Sequence, residues 1–318
     1  MKNRYYITII IALLALISCQ KEELYTGPCN VRFKAYVQDE VSVTRGYTPI
    51  GNSTDAFAAE LFISNATAVN SSTLQWDGTK VTTYLKLEEG TYSFYGYSPK
   101  RQNATFDTST QIMSVPGIAG LGTEDVMLIK KASLDTYGKN EATVTLQMDH
   151  MMAKVTPYFY IHDQYANLRT IKIKKVEFSM SDAATYTATV DYKTTPLTTN
   201  WNKGATKTVT LSSFDNESSP MELDENVIAK VNALGNAKHF YLCPAQSTAN
   251  LKMTVTYDVY DKKGEVTREN VTADNAILKL KNGSLVAGTN YKLYIKVVPT
   301  YLYVLSDNDE ESVLTIND

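Results

Sequence analysis

The chain has 318 residues and a formal net charge of −3, and 43% of its residues are hydrophobic. This length suggests about two domains. Lysine and arginine form no clustered run, which argues against a nucleic-acid partner, because such proteins carry a concentrated basic footprint.

The first 18 residues have the plan of an export signal. Lys2 and Arg4 form a short basic region, and Ile7–Ile17 is apolar except for one threonine. This run is too short to cross a membrane as a helix, which needs about 20 residues, but it has the length of a signal-peptide core. It ends in LISC, which resembles a bacterial lipoprotein signal. The resemblance implies cleavage before Cys19 and acylation of that cysteine by fatty acids such as palmitate; the alternative is an uncleaved apolar segment with an incidental cysteine.

The residues after Cys19 bear on location. Gln20-Lys21-Glu22-Glu23 resembles the acidic tether with which some Gram-negative bacteria send lipoproteins to the outer face of the cell. We therefore expect a surface-exposed lipoprotein of the cell outer membrane. Retention in the periplasm is the alternative, since short charge patterns are weakly specific.

The rest of the chain is predicted to be all-β. Polar and apolar residues alternate with the period of two that marks half-buried strands, and turn residues separate the runs. A polar, turn-rich stretch at 132–140 predicts a boundary between two β-sandwich domains, residues 19–138 and 139–318. The clearest alternating runs are Val31–Val37, Thr143–Met148, Ile171–Phe178, Leu251–Tyr257 and Tyr291–Val297.

One short helix is predicted after residue 219. Ser219 is a suitable N-cap, proline follows it, and Glu222 lies three residues after the cap. Apolar residues then recur on one helical face until Gly235. An irregular loop is the alternative.

Two further cysteines, Cys29 and Cys243, have two open interpretations. An exported protein meets oxidising conditions, so the two thiols could form a disulfide. They could equally be two separate buried thiols, since the only argument for a disulfide is the oxidising compartment that an exported protein enters.

Residue patterns for catalysis or metal binding are not found. The three histidines, His150, His162 and His239, have no metal-ligand spacing, and neither a nucleophile elbow nor a phosphate-binding glycine pattern is present. The acidic run Asp307–Glu311 lacks the spacing of a calcium loop and is expected to face water. We therefore predict no catalytic residue, no metal site and no cofactor.

Five aromatic residues between positions 84 and 97 could stack on a sugar or could form cross-strand pairs in a sheet. The structural interpretation is favoured, because aromatic pairs across strands are common. The group comprises Tyr84, Tyr92, Phe94, Tyr95 and Tyr97.

Several short motifs, in this order, resemble the fimbrillin family of type V pilins and its fimbrillin-like relatives. Each is weak alone, but together they extend over most of the chain behind a lipoprotein-like signal. The motifs are Val31–Val37 with Ser42-Val43-Thr44-Arg45-Gly46, Gly90–Pro99, Thr123–Met127, Leu146–Val155, Phe240–Gln246 and Leu285–Tyr291.

This resemblance implies a fold, an assembly mode and partners. The fold would be two β-sandwich domains resembling transthyretin, and the role would be adhesion rather than catalysis. An Arg-specific protease would cut after the first strand, which would leave, and a strand from another pilin subunit would fill the groove. Arg45, followed by Gly46, is the candidate cut, although it could be an ordinary surface arginine.

The C-terminal pieces Tyr301–Leu305 and Ser312–Ile316 could be donor strands or the last strands of the second domain. The alternative function is a lipoprotein that binds a glycan or a host protein without polymerising. A carbohydrate-active enzyme is disfavoured, because no pair of carboxylates is placed for it.

Overall fold

A computed structural model describes residues 25–38, 47–49, 58–77, 80–161, 163–224, 238–277, 285–298 and 302–306. Within these ranges the chain forms twenty strands in three sheets, with one four-residue helix, α1 (Asp163–Ala166). The prediction of an all-β protein is therefore confirmed. No helix in the described ranges is long and apolar enough to cross a membrane.

The first sheet has eight described strands and contains the first strand of the structure. Its order is β2-β1-β11-β10-β6-β3-β4, and β5 also pairs with β1. The strands are β1 (Cys29–Gln38), β2 (Tyr47–Pro49), β3 (Ala58–Ser64), β4 (Val69–Gln75), β5 (Tyr84–Leu87), β6 (Thr91–Ser98), β10 (Met127–Asp135) and β11 (Glu141–His150).

This eight-stranded sheet curls over its own apolar face. One core cluster is built from strands of this sheet, with Val31, Leu61, Phe94 and Leu146 among its buried members. The rings of Phe33 and Phe94 meet edge to face at 5.7 Å, although β11 and β10 separate their strands in the sheet order. Such a contact requires strong curvature, which the natural twist of β-sheets favours.

The second sheet is organised around the unusually long strand β13. Its order is β18-β17-β13-β8-β7, and β14 and β15 also pair with β13. The first part of β13 pairs with β17 and its last part with β8, so one strand joins regions that are distant in sequence. The strands are β7 (Thr105–Asp107), β8 (Ile112–Ala119), β13 (Arg169–Asp191), β14 (Thr198–Asp215), β15 (Met221–Leu223), β17 (Leu251–Asp261) and β18 (Val266–Ile277).

The third sheet packs on the first part of β13. Its order is β20-β19-β12-β16-β9, and one core cluster joins residues such as Phe159 and Ile295 to Phe178 and Val255 of the second sheet. Two sheets that bury facing apolar sides form a β-sandwich. The strands are β9 (Leu121–Gly122), β12 (Ala153–Ile161), β16 (Phe240–Leu242), β19 (Asn290–Val297) and β20 (Leu302–Ser306).

The prediction that a helix begins after residue 219 is wrong for the residues that the structure describes. Met221–Leu223 forms strand β15, which pairs antiparallel with Ile171–Ile173 of β13. Met221 and Leu223 are both buried while Glu222 between them is exposed, which is strand alternation. The sheet edge of β13 therefore overrides the local capping signal. Residues 225–237, which include the rest of the predicted helix, lie outside the described residues.

The predicted domain boundary between 138 and 139 falls in the turn that joins β10 to β11. These are neighbouring strands of the eight-stranded sheet, and Lys139 N–H bonds to the Thr136 carbonyl at 3.1 Å within the turn. The same sheet continues on both sides of this turn. The division into two domains stays a prediction.

Cys29 and Cys243 are separate, buried free thiols. They lie in different core clusters, Cys29 inside the eight-stranded sheet and Cys243 with residues of β8 and β13. The structure thus has the second of the two arrangements left open by the sequence.

Candidate functional site

The candidate site is strand β1 and the slot that it occupies in the eight-stranded sheet. On one side β1 pairs in parallel with β11, from Asn30 opposite Glu141 to Val37 opposite Met148. This parallel pairing includes eight of the ten residues of β1. β1 therefore lies inside the sheet, between β11 on one side and β5 and β2 on the other.

The other side of β1 is covered only at its two ends. The four residues from Cys29 to Arg32 pair with β5, and the three residues from Tyr36 to Gln38 pair with β2. The three residues between them, 33–35, have no pairing partner on this side among the described strands. A cleft of about 690 Å³ opens there, lined by Phe33, Lys34 and residues 80–84.

The segment just before β5 does not continue the pairing with β1. It turns towards β4 instead, and this leaves the cleft. Thr82 N–H bonds to the Gln75 carbonyl at 2.9 Å, and the Thr83 hydroxyl accepts from Gln75 N–H at 2.8 Å. These bonds hold residues 80–83 against the end of β4. The gap beside β1 is therefore built into the hydrogen bonding of the neighbouring segment.

The inward face of β1 fills the core of the sheet. Cys29, Val31, Phe33 and Ala35 are at most 5% exposed, while Arg32 and Lys34 between them are exposed. Burying a side chain such as valine or phenylalanine stabilises a fold by about 1.5–3 kcal/mol. Loss of β1 would therefore open an apolar row and leave the backbone groups of β11 unpaired.

The carboxyl end of β1 is held by a partly buried polar pair. His150 Nε2 lies 2.9 Å from the carbonyl oxygen of Gln38, and its Nδ1 lies 2.6 Å from Asp125 Oδ2. Because a carbonyl only accepts, the Nε2–H of His150 is the donor to Gln38. The second oxygen of Asp125, Oδ1, is buried and has no hydrogen-bond partner among the described residues.

This polar pair was not found from the sequence. His150 is 25 residues from Asp125 and 112 residues from Gln38. No spacing rule connects positions so far apart, and the sequence analysis placed His150 only within the family-like motif Leu146–Val155. The structure places it where β1 stops and the connection to β2 begins.

The charges on the outer face of β1 contribute little. Arg32 and Glu141 face each other across β1 and β11 at 3.9 Å, and both side chains are more than half exposed. Exposed pairs of this kind are worth about 0–1 kcal/mol. Attachment of β1 thus depends on its backbone pairing and its buried row.

The predicted processing residues lie outside the described residues. Cys19 precedes residue 25, and Arg45 and Gly46 lie in the 39–46 interval between the end of β1 and the start of β2. In chain order, both Cys19 and β1 precede Arg45. Cleavage there would separate them together from the rest of the chain.

The aromatic residues considered for sugar binding are mostly core. Tyr92, Phe94, Tyr95 and Tyr97 of β6 are buried, as the structural interpretation predicts, whereas Tyr84 is 65% exposed. Among the described residues, no group of three or more histidine, cysteine, aspartate or glutamate side chains is placed to hold a metal ion.

The described part of the C-terminal region is paired within its own sheet. Leu302–Ser306 forms β20, which runs antiparallel to β19 from Leu302 opposite Val297 to Ser306 opposite Leu293. Ser312–Ile316, the second predicted strand, lies outside the described residues.

Comparison with known proteins identifies a family. The family described as Fimbrillin-like matches residues 37–318. A search of curated proteins found no match. Solved structures also resemble the chain at low sequence identity.

Three of these structures have named roles. A proposed cell adhesion protein from Bacteroides uniformis is 15% identical over 87% of this chain and 96% of its own, with a TM-score of 0.46. A fimbrial protein from Bacteroides vulgatus is 11% identical over 87% and 98%, with a TM-score of 0.40. The fimbrial anchor protein Mfa2 from Porphyromonas gingivalis is 9% identical over 91% and 100%, with a TM-score of 0.33.

Proposed function

Because the chain belongs to the fimbrillin-like family, we propose that this pilus- or adhesin-type protein is a surface subunit that assembles by strand exchange. The observation that supports this most directly is the way β1 is held. Its one long partner is β11, and its other side is covered only at the ends. A strand from a second subunit could occupy the same slot, pair with β11 and place alternate side chains in the core.

The proposed maturation begins at the membrane. Cys19 is lipidated and holds the precursor at the outer membrane, and a protease then cuts after Arg45. The role is adhesion and needs no enzyme activity or cofactor, in keeping with a family that is in general non-enzymatic. Repeated head-to-tail exchange gives an open filament rather than a closed ring.

The test of assembly is limited digestion of the purified protein with an Arg-specific protease. Products are run on gels with and without boiling and then viewed by electron microscopy. The proposal expects a cut at Arg45, followed by a denaturant-resistant ladder or fibres. An Arg45→Lys variant is the matched control, because it keeps the charge but removes the cleavage site.

Two results would contradict polymerisation by this route. A clean cut with no ladder, even after mixing with partner subunits, would show that an emptied slot is not refilled. No cut at Arg45 would favour the alternative of an anchored lipoprotein that binds a glycan or host protein without polymerising.

The membrane step has its own test. Cys19→Ala should abolish membrane association and incorporation of labelled fatty acid, whereas Cys29→Ala should leave both unchanged, because the Cys29 thiol is buried in the core. Labelled lipid on the Cys19→Ala protein would overturn the lipidation proposal.

The donor segment can be tested by truncation after β20. Removing residues 307–318 keeps every described residue of β20, which pairs with β19. If Ser312–Ile316 is the donor, this protein should accept a strand but should not supply one. Undiminished polymerisation of the truncated protein alone would exclude that donor.

A further inference from the structure

A β-bulge in β10 brings two consecutive lysines to the same side of the molecule. The pairing of β10 with β6 shifts register between Ile129 and Ala132, and Lys130 and Lys131 lie within that shift. Neighbouring residues of a regular strand point to opposite faces, whereas both of these lysines line one groove. The bulge therefore concentrates positive charge that a regular strand would divide between its two faces.

A buried tyrosine holds this bulge in place. The Tyr192 hydroxyl donates to the carbonyl of Ile129 at 2.8 Å. Burial raises the pKa of the Tyr192 hydroxyl far above its usual range, so it stays a donor. The ring of Tyr95, the residue of β6 opposite the bulge, meets the ring of Tyr192 edge to face at 4.8 Å. Buried contacts thus fix the backbone that carries the two lysines, as is common for bulges beside functional sites.

The groove lies where the first sheet meets the connection between β13 and β14. Its volume is about 690 Å³, which is within the range of about 300–1,000 Å³ that is usual for ligand sites. The connection has its own hydrogen bonds: the Thr194 hydroxyl donates to the Asp191 carbonyl at 3.0 Å and accepts from Thr198 N–H at 2.9 Å. The groove is therefore bordered by backbone that is already ordered.

The charge of the groove favours an anionic ligand. Among its described lining residues, two lysines stand against one carboxylate, that of Asp149. Lys130 pairs with Asp149 at 3.2 Å. Lys131 forms no ion pair with any described residue; its Nζ lies 3.5 Å from Gln111 Oε1 and 5.7 Å from the centre of the Tyr95 ring. The positive charge of Lys131 thus remains for a ligand.

The same groove has an aromatic and hydroxyl-bearing lining. The partly buried Trp201 lines it, and the ring of Trp201 meets that of the buried Tyr186 edge to face at 6.2 Å. Leu197 adds apolar surface, and Thr195 and Thr199 add hydroxyl groups that can both donate and accept. A pyranose ring matches such a lining, because its faces carry C–H groups and its rim carries hydroxyls.

The strands that line the groove offer side chains rather than free strand edges. In the sheet order, β10 lies between β11 and β6, and β11 lies between β1 and β10. An extended peptide that binds by adding a strand needs an unpaired edge, and these two strands are paired on both sides. The arrangement therefore favours a ligand that is recognised through ring faces, hydroxyls and charge.

We propose that this groove binds an acidic saccharide, a sugar chain that carries carboxylates such as those of uronic or sialic acids. Lys131 contacts a carboxylate, and Trp201 packs against a sugar ring. The proposal rests on the adhesive role proposed above and deepens it by naming a ligand class. It does not require strand exchange, since the groove is complete in the chain that retains β1.

Isothermal titration calorimetry of the uncut protein tests the binding. The probes are oligosaccharides of galacturonic acid, of glucuronic acid and of sialic acid, and the neutral controls are oligosaccharides of galactose and of glucose. At least one acidic probe should bind saturably, and its neutral counterpart should bind at least about tenfold more weakly, because it lacks the charged hydrogen bond. Binding should weaken several-fold at about 1 M salt, where the screening length is about 3 Å.

Matched variants identify the groove. Lys131→Gln should lower the affinity for the acidic probe about tenfold, whereas Lys263→Gln, an exposed lysine in the turn after β17, should leave it unchanged. Trp201→Ala should abolish detectable binding, and Trp201→Phe should retain much of it because an aromatic ring remains. Circular dichroism and thermal unfolding confirm that each variant is folded.

Three outcomes would overturn the proposal. The first is a folded protein that binds none of the acidic oligosaccharides. The second is equal affinity for acidic and neutral probes, or binding that Lys131→Gln leaves unchanged. The third is tighter binding of a poly-glutamate peptide than of every saccharide, which would indicate an acidic protein partner instead. All measurements use uncut protein, so a failure of saccharide binding is distinguishable from a failure of strand exchange.

Discussion

At the scale of single residues, His150 connects the end of β1 to the rest of the sheet. It donates to the Gln38 carbonyl and contacts Asp125, and its side chain is only 8% exposed. Removing one partner of such a hydrogen bond costs more than the bond itself. The other partner stays shielded from water and has no hydrogen bond to replace the one that was lost.

Replacing His150 with alanine should therefore lower the free energy of unfolding by about 1–3 kcal/mol. Urea unfolding followed by circular dichroism measures this loss. His239→Ala is the matched control; His239 is exposed, and its loss should cost less than about 0.5 kcal/mol. Equal stability of the His150→Ala and wild-type proteins would show that the polar pair does not secure β1.

Cys243 predicts how stability depends on pH. Burial raises the pKa of its thiol from 9.0 to about 12. Above pH 9 the unfolded chain loses this proton while the folded chain keeps it, so stability falls as pH rises from 9 towards 12. Between pH 9 and about pH 10.5 this group should cost about 2 kcal/mol.

The measurement is urea unfolding at about pH 8 and pH 10.5 for the wild type and for Cys243→Ala. The variant will be less stable at the lower pH because of the cavity, so the informative quantity is the pH-dependent loss. That loss should be smaller in the variant by about 2 kcal/mol. Identical losses would mean that the thiol ionises equally in the folded and unfolded states.

At the scale of elements, β1 combines firm packing with pairing that is interrupted at residues 33–35 on one side. Phe33 packs on Phe94 in the core, while its neighbour Lys34 is exposed beside the cleft. The two residues therefore separate the contribution of the buried row from that of the strand surface.

Phe33→Ala should destabilise the protein by about 3–5 kcal/mol, as phenylalanine truncation in a core does. Lys34→Ala should change stability by less than about 0.5 kcal/mol. Both are measured by chemical unfolding of the uncut protein. Similar losses for the two variants would contradict the buried face assigned to β1.

At the scale of the whole molecule, the rest of the fold should bind β1 when β1 is supplied as a separate peptide. If residues up to Arg45 are cleaved and washed away in urea, the refolded remainder lacks the strand beside β11. A synthetic peptide of residues 29–38 should raise its melting temperature by about 5–10 °C, because it restores several kcal/mol of burial.

The control is a peptide of the same composition in scrambled order, which disrupts the alternation of buried and exposed side chains. It should give no shift. A remainder as stable as the intact protein, with no response to the native peptide, would contradict the role of β1 as a replaceable strand.

Local patterns in the sequence were enough for the fold class and for many strands. The alternating runs at Val31–Val37 and Tyr291–Val297 lie within β1 and β19, because a period of two depends only on neighbouring residues and on which face is buried. Motifs of the same local kind identified the fimbrillin-like family.

Tertiary pairing decided what the local patterns could not. The predicted run Ile171–Phe178 is part of the 23-residue strand β13, because β17 and β8 supply successive partners along it. Met221–Leu223 is a strand rather than a helix start, because the edge of β13 offers it hydrogen bonds and a core.

The sequence by itself determined the all-β class and the family, and it predicts Cys19 and Arg45 as processing residues, since each depends on a short run of neighbouring residues. Only the tertiary structure decided that β1 lies in parallel beside β11, that His150 meets Gln38, and that Lys130 and Lys131 share a groove. The physical reason is that these contacts join positions far apart in the chain, or depend on a bulge whose register the partner strand imposes.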